Sequence, residues 1–351
     1  MLLGLAFDAI GARERRTLEV LKVRGAAPLP GWHTLTISDD GVTIHPRIEA
    51  RVARQTGLRH ILAAQRAPEA PHQEPGPAGE RDNGDEGEPV TTGVPGLDPL
   101  LDGGFPRGSS TLVVGARGAG KTLLGLQFAL EGARQGEPGL FLSFRETADQ
   151  LARKTTPFGW EGLFREALGA GTLTILRTPP VELNADALAD TLIARLDETG
   201  ARRLVVDEVG ELERALVALG YEHRFHDFAA ALVEAFRLRG VTALLTRQTA
   251  AGSRTALEQG IAPLTLLTET LLWMREWTDD GHIARSMEIL QTAISGRTDV
   301  WHPMMIEASR GIIIHHRENQ KDAADMRKSG ARGPGARQSR DPDKEGRDVD
   351  E

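Results

Sequence analysis

The sequence predicts an α/β fold built on a mostly parallel sheet covered on both faces. Three observations lead there. A β-branched run, Thr111 to Val114, feeds a G-x-x-x-x-G-K-T loop from Gly115 to Thr122, after which the spacing becomes helical. Strand-like and helix-like stretches then alternate, the pattern of parallel strands joined by crossover helices. Finally, the run Arg203-Leu204-Val205-Val206 ends in Asp207, a carboxylate at the carboxyl end of a buried strand.

The loop carries a definite chemistry. Gly115, Gly118 and Gly120 let main-chain N–H groups turn inward toward phosphate oxygens, where a Cβ would obstruct the turn or the approach. Ala116, Arg117 and Ala119 lend their amides to the same nest, and the helix that begins at Lys121 adds its positive end. Lys121 reaches the β- and γ-phosphates, and the Thr122 hydroxyl ligates Mg²⁺. Asp207, about 85 residues on, is the carboxylate such a site needs to hold Mg²⁺ through its water shell.

The remaining elements follow in order. Residues 139–144 form a second strand, 148–156 and 162–168 are helical, and 172–176 is a strand. Over 185–198, Leu188, Leu192, Ile193 and Leu196 fall on one helical face. An amphipathic helix over 225–239 leads to a strand over 241–246. Residues 271–274 and 283–290 continue the sheet, with an antiparallel finish over 303–314.

Upstream of the loop lies a repeat. Arg16-Thr17-Leu18-Glu19-Val20-Leu21 resembles Arg285-Ser286-Met287-Glu288-Ile289-Leu290 at an offset of 269 (285 − 16), which also carries Trp32-His33 onto Trp301-His302. After one inserted residue, Gly41 to His45 falls on Gly311 to His315. Residues 1–67 are therefore expected to copy the closing strands of the main domain without its phosphate loop. Residues 68–89 are rich in Pro, Gly and Glu and predict a flexible linker; the main domain spans 90–316, and 317–351 predicts a disordered charged tail.

Composition narrows the classes. The 351 residues, 40% of them apolar, suffice for a sizeable core. There is no cysteine, hence no disulfide and no thiolate metal site. Met1 to Ile10 is apolar but lacks a basic flank and contains Asp8, so neither a leader peptide nor a membrane span is expected, which places the chain in the cytoplasm. A net charge of −8 disfavours a dedicated nucleic-acid binder. The pairs His223/His226 and His315/His316 have no third ligand at zinc-site spacing.

The stretches Thr92-Gly93-Val94-Pro95-Gly96-Leu97-Asp98 and Leu101-Asp102-Gly103-Gly104-Phe105-Pro106-Arg107-Gly108 resemble the opening signature of RecA-like ATPases of the circadian-clock KaiC group. So do Leu126-Gln127-Phe128, Glu131-Gly132-Ala133 and Gly136-Glu137-Pro138-Gly139. The resemblance covers about 90–316. It implies a RecA-like core that binds ATP and Mg²⁺ and a homo-oligomeric ring, in that family a hexamer, with a regulatory role and a signalling protein as partner. Residues 12–47 resemble the end of a preceding domain of the same kind, so the chain looks like a degenerate tandem member. Lys22-Val23-Arg24-Gly25 matches the family's Lys-x-Arg-Gly element, which serves a neighbouring subunit's nucleotide.

Departures from the family pattern bear on catalysis. The family's second strand ends in Phe and two glutamates, the first activating water; here the run is Phe144-Arg145-Glu146. The second Lys-x-Arg element falls on Gln291-Thr292-Ala293, without its cations, and the clock protein's phosphorylated pair falls near Thr265-Leu266, so autokinase activity is not expected. Two carboxylates remain to orient water, Glu146 and Glu208; the latter follows the metal aspartate, as in other P-loop ATPases. The alternative for Glu208 is a surface carboxylate. Gln248, two residues past the strand over 241–246, resembles the γ-phosphate sensor of RecA-like proteins, with a solvated loop glutamine as the alternative. The expected activity is slow Mg²⁺-dependent ATP hydrolysis. Alternatives are a DNA-dependent ATPase of recombinase or helicase-loader type, for which the loop Gly252-Ser253-Arg254-Thr255 offers one cation, and a non-hydrolysing scaffold stabilised by ATP.

Overall fold

The computed structural model describes residues 1–10, 13–66, 87–249, 257, 264–279, 282–292 and 300–315. The linker anticipated over 68–89 lies outside the described residues up to 86; the tail over 317–351, the loop from Gly252 to Thr255 and Ala293 lie outside them altogether.

The chain opens with β1 (Leu2–Ile10), β2 (Arg13–Lys22), β3 (His33–Ser38) and β4 (Gly41–His45), an antiparallel meander, followed by α1 (Ile48–Arg66). The main domain then runs β5 (Ser110–Gly115), α2 (Lys121–Arg134), β6 (Gly139–Ser143), α3 (Ala148–Thr155), α4 (Glu161–Ala170), β7 (Leu173–Arg177), α5 (Ala185–Thr199) and β8 (Arg203–Asp207). It continues through α6 (Gly210–Ala218), α7 (Phe225–Arg237), β9 (Thr242–Gln248), β10 (Thr270–Asp279), β11 (His282–Gln291), β12 (Trp301–Glu307) and β13 (Gly311–Ile314).

Nine of these strands form one sheet in the order β13-β12-β11-β10-β5-β9-β8-β6-β7. The strands from β10 to β7 in that order run parallel, and β11 to β13 are antiparallel. The fold is thus an α/β core with a mostly parallel sheet and antiparallel C-terminal strands, as the sequence predicts. Every residue of β5 and β6 is buried, because helices cover both faces and no position can face water. One apolar core lies between the sheet and α5, α6 and α7; the other lies between it and α2 and α4.

Element boundaries move by a few residues from those expected, with two outright omissions. Helix α6 was not anticipated; it begins directly after the Asp207 strand end, in a Glu-rich stretch with a glycine at its first position, where propensity is weak. Helix α1 was not anticipated either. Its Ile48 and Val52, one turn apart, are buried in the core that holds α7, and tertiary packing supplies what its sequence alone does not. The strand expected over 241–246 extends to Gln248, so that residue ends a strand and is not part of a loop.

The repeat seen in the sequence recurs in the strand pairing. Leu3↔Val20 in the first meander becomes Leu272↔Ile289 at the same offset, each beside an irregularity one residue earlier. Leu18↔His33 becomes Met287↔His302, and after the one-residue shift Ile37↔Val42 becomes Ile306↔Ile312. The first meander joins the main domain through a buried ionic cluster. Arg224 donates to both oxygens of Glu49 (3.0 and 3.1 Å) and to Asp186 (3.0 and 3.3 Å), and the Thr34 hydroxyl donates to Asp186 at 2.9 Å.

Candidate nucleotide site

The parallel register brings three strand ends together. Gly115 at the end of β5 lies opposite Gln248 at the end of β9, and Val206, just before Asp207 on β8, lies opposite Leu245 on β9. Ligands of open α/β sheets bind at such carboxyl ends. The loop turns back from β5 with Gly118 at φ 91° and Gly120 at φ 105°, values that an L side chain rarely adopts. Gly115 is constrained differently, since a Cβ there would lie 2.6 Å from the Met274 carbonyl oxygen.

Lys121, at the start of α2, is 9% exposed. Its ammonium donates to the carbonyls of Gly115 and Ala116, both at 2.8 Å, folding back over the loop it would otherwise extend beyond. Burial pushes its pKa below the ordinary lysine value, while Glu208 and Asp207 favour the charged form. One turn of chemistry away, the Thr122 hydroxyl donates to Asp207 Oδ2 at 3.0 Å and the Thr246 hydroxyl to Oδ1 at 2.8 Å. Burial raises the Asp207 pKa against those two hydrogen bonds, and nearby Glu146 raises it further. A carboxylate and a hydroxyl in contact beside a phosphate nest are a donor set suited to Mg²⁺, a hard cation that takes few protein oxygens and keeps its waters. Those two residues fit the ion.

The candidate water-orienting groups are placed differently from each other. Glu208 has φ 80°, strained for a non-glycine residue; its N–H donates to Thr246 Oγ1 (2.8 Å), and its carboxylate accepts the Gln248 N–H (3.0 and 3.2 Å). Such a position persists only where surrounding bonds impose it, and it sets Glu208 in the cleft beside Asp207, unlike a carboxylate free in solvent. Glu146 pairs with Lys154, while its Oε2 is buried and makes no hydrogen bond. Arg145 turns to Glu211 at 3.1 Å, a carboxylate that also pairs with Arg214.

These groups line one open cleft of about 580 Å³. Arg117, Gly118, Gly120, Lys121, Thr122, Asp207, Glu208, Gln248 and Glu146 all border it, as do Arg145 and Lys154. An apolar wall of Leu123, Leu126, Phe158 and Ile306 completes it. The sequence pattern did not single out Thr246, Lys154 or this wall. Thr246 could have been found, because side chains alternate along β9 and Thr246 shares a face with Gln248. Lys154 and Phe158 belong to no motif. Gln291 is remote from this chemistry: its amide donates to the Thr268 carbonyl at 3.4 Å.

A phosphate nest on a parallel sheet, with a strand-end aspartate on the loop threonine, defines a P-loop nucleotide-binding protein of the RecA-like class. The chain belongs to the KaiC ATPase family, whose profile, described as ATPase: KaiC, matches residues 90–319. It is 26% identical over 294 residues to the circadian clock oscillator protein KaiC of Picosynechococcus sp., covering 83% of this chain and 49% of that protein. It is 26% identical over 294 residues to the circadian clock oscillator protein KaiC 1 of Synechocystis sp., covering 83% and 48%. With the circadian clock protein KaiC3 of Synechocystis sp. it shares 28% identity over 238 residues, 65% of this chain and 45% of that protein. The chain spans about half the length of these curated relatives. Among the described residues, no helix is long and apolar enough to cross a membrane.

Proposed function

We propose that this protein binds ATP with Mg²⁺ in the cleft between the phosphate loop and Asp207, and hydrolyses it slowly within an oligomeric ring, in a regulatory role. The observation that carries the reading is the Thr122–Asp207–Thr246 chain of hydrogen bonds beside a loop whose Gly118 and Gly120 have positive φ. Main-chain amides and Lys121 take the polyphosphate, Thr122 and Asp207 hold the metal, and the apolar wall receives the nucleoside. Bound Mg²⁺ would supply charge neutralisation at the β- and γ-oxygens. Residues 1–67 carry, on this reading, a second copy of the closing strands, and ring assembly follows the KaiC pattern.

Slow turnover follows from what the site lacks. Arg145 replaces one carboxylate, and Gln291 brings no cation to a neighbouring site. Loss of trans cations costs on the order of 10³-fold in rate by analogy with arginine fingers. Glu208 is the better placed of the two remaining carboxylates, because Gln248 holds it by its main chain whereas Glu146 is neutralised by Lys154.

The expected result is that Glu208→Gln lowers the ATPase rate about 10²-fold or more with Mg·ATP affinity retained, whereas Glu146→Gln changes it much less. Single-turnover hydrolysis with parallel equilibrium binding measures both. Equal rates for Glu208→Gln and the parent would transfer the role away from Glu208.

A further inference from the structure

Arg117, Lys121, Arg145 and Lys154 bring four cations to the cleft, and their attachments differ. Lys121 donates to two carbonyls of the phosphate loop, and Arg117 rides on the loop itself, so both belong to the nest that holds phosphate before reaction. Lys154 pairs with Glu146, whose Oε2 already makes no hydrogen bond; drawing Lys154 away takes the cation from a carboxylate that is under-bonded as it stands. Arg145 is held by a redundant contact. Its guanidinium donates to Glu211 at 3.1 Å, and its side chain is 56% exposed. Glu211 has a firmer partner in Arg214, which grips both carboxylate oxygens, at 3.0 and 2.6 Å. Burial opposes ionisation of Glu211, and the hydrogen bonds from Arg214, ahead of those from Arg145, hold its pKa below the ordinary value. An exposed ion pair such as Arg145–Glu211 is weak, so Arg145 leaves at little cost.

The main chain of Arg145 is, by contrast, fixed beside the reacting groups. Ser143, the last residue of β6, lies opposite Asp207 in the parallel register and is 1% exposed. Its hydroxyl accepts the Glu146 N–H at 3.0 Å and so closes the bend that carries Arg145. Glu211, the present partner of Arg145, donates its own N–H to the Glu208 carbonyl at 3.0 Å. The cation therefore stands at the end of the cleft where Glu208 and Asp207 are placed, on a rigid mount, with a long side chain free to move.

We infer that Arg145 is a catalytic residue for the hydrolysis proposed above, leaving Glu211 for the γ-phosphate oxygens of its own cleft as charge spreads over them in the transition state. The inference rests on that reading of the site. In the step, a water oxygen bonds to the γ-phosphorus, the bond to the β,γ-bridging oxygen breaks with its electron pair leaving on ADP, and one water proton passes by Glu208 to solvent. Arg145 exchanges a carboxylate for phosphate oxygens and makes no covalent bond. An arginine supplied from within the chain serves this transition state in other P-loop enzymes. Here it restores part of the charge that Gln291 does not bring.

The test uses the full chain and follows single-turnover hydrolysis, Mg·ATP affinity, and Mg·ADP affinity with and without fluoroaluminate, a mimic of the transferring phosphoryl group. Arg145→Ala is expected to hydrolyse about 10²-fold more slowly, the worth of one donor aimed at developing charge. Its Mg·ATP affinity and melting temperature should match the parent's. Fluoroaluminate should tighten Mg·ADP binding in the parent, and the variant should lose most of that gain. Arg145→Glu separates a working cation from one that merely displaces a base: the first predicts a variant as slow as the alanine one or slower, the second a variant faster than the parent. A parental rate in Arg145→Ala overturns the inference, as does a faster Arg145→Glu, and Mg·ATP binding stands in both cases. A parent that binds Mg·ATP without turning it over also overturns it. Absence of Mg·ATP binding by the parent overturns the proposed function and this inference together.

Discussion

Replacing Lys121 by alanine is expected to weaken Mg·ATP binding by roughly 10- to 100-fold, the worth of one or two charge-assisted hydrogen bonds to phosphate. The ammonium donates to the Gly115 and Ala116 carbonyls, so it stands at the loop's own rim, where arriving phosphate oxygens can displace those partners. The thermal signature separates binding from folding. At a ligand concentration 100 times the parent's Kd, Mg·ATP should stabilise the parent by about 2.7 kcal/mol. For a domain of this size that is an upshift of roughly 5–10 °C. The variant should keep about 0.4–1.4 kcal/mol of it, an upshift of roughly 1–6 °C. Without nucleotide the two proteins should melt close together. The substitution forfeits two hydrogen bonds but also removes a desolvated charge, whose cost is visible in the lowered Lys121 pKa. Differential scanning fluorimetry with and without Mg·ATP, beside equilibrium dialysis, checks both parts. Equal Mg·ATP affinity in parent and variant would falsify the phosphate assignment.

Much of this site was legible because motif and topology coincide. Gly115, Lys121, Thr122 and Asp207 are tied to the ends of two buried strands, and an apolar run followed by glycine or aspartate marks such an end in any α/β chain. The repeat was legible for the same reason, since paired strands fix spacing, and a single inserted residue suffices to align both meanders. Groups placed by tertiary packing left no such trace. Lys154, near the end of α3, reaches back to Glu146 ahead of that helix, and Phe158 enters the cleft from the short turn after it. The extension of β9 to Gln248 was hidden because Arg247 and Gln248 look like loop residues. Arg247 pairs with Glu213 of α6, an element that was itself not foreseen. Nor did periodicity reveal that the first meander turns its polar face inward. That orientation depends on Asp186 and Tyr221, more than 150 residues downstream, which give Thr34 and Arg15 their partners.

Arg203→Met is expected to destabilise the domain by about 3–5 kcal/mol, the loss seen when one partner of a buried ion pair is removed. Arg203 is 1% exposed, and its guanidinium uses its whole fork. It donates to Glu137 (2.7 Å), to the Thr91 and Phe128 carbonyls (2.7 and 3.2 Å) and to Gln135 (2.9 Å), over the Phe128 ring. One side chain thereby ties the segment before the phosphate loop to both ends of the turn that follows α2. The glycine at 132 belongs to the same device: a Cβ there would lie 2.5 Å from Arg203 Cδ, so α2 crosses the arginine only because that position is bare. Methionine fills much of the volume but takes the Arg203 donor from the two carbonyls and from Glu137 Oε2, leaving Arg107 alone on that carboxylate, and a drop in Tm of roughly 6–20 °C follows. Lysine should recover only part of it, because a single ammonium cannot span partners arranged for a planar fork. Acidity gives a second readout. Desolvation opposes ionisation of Glu137, yet hydrogen bonds and charge from Arg203 and Arg107 outweigh it and hold its pKa below the ordinary value. Its contribution is therefore present above the ordinary glutamate pKa and lost as pH falls through the lowered one. Urea melts at pH 7 and in steps below about pH 4 should show the parent losing this contribution while Arg203→Met, already without most of it, falls less steeply. A variant that melts with the parent at neutral pH would show that the fork positions the chain without stabilising it.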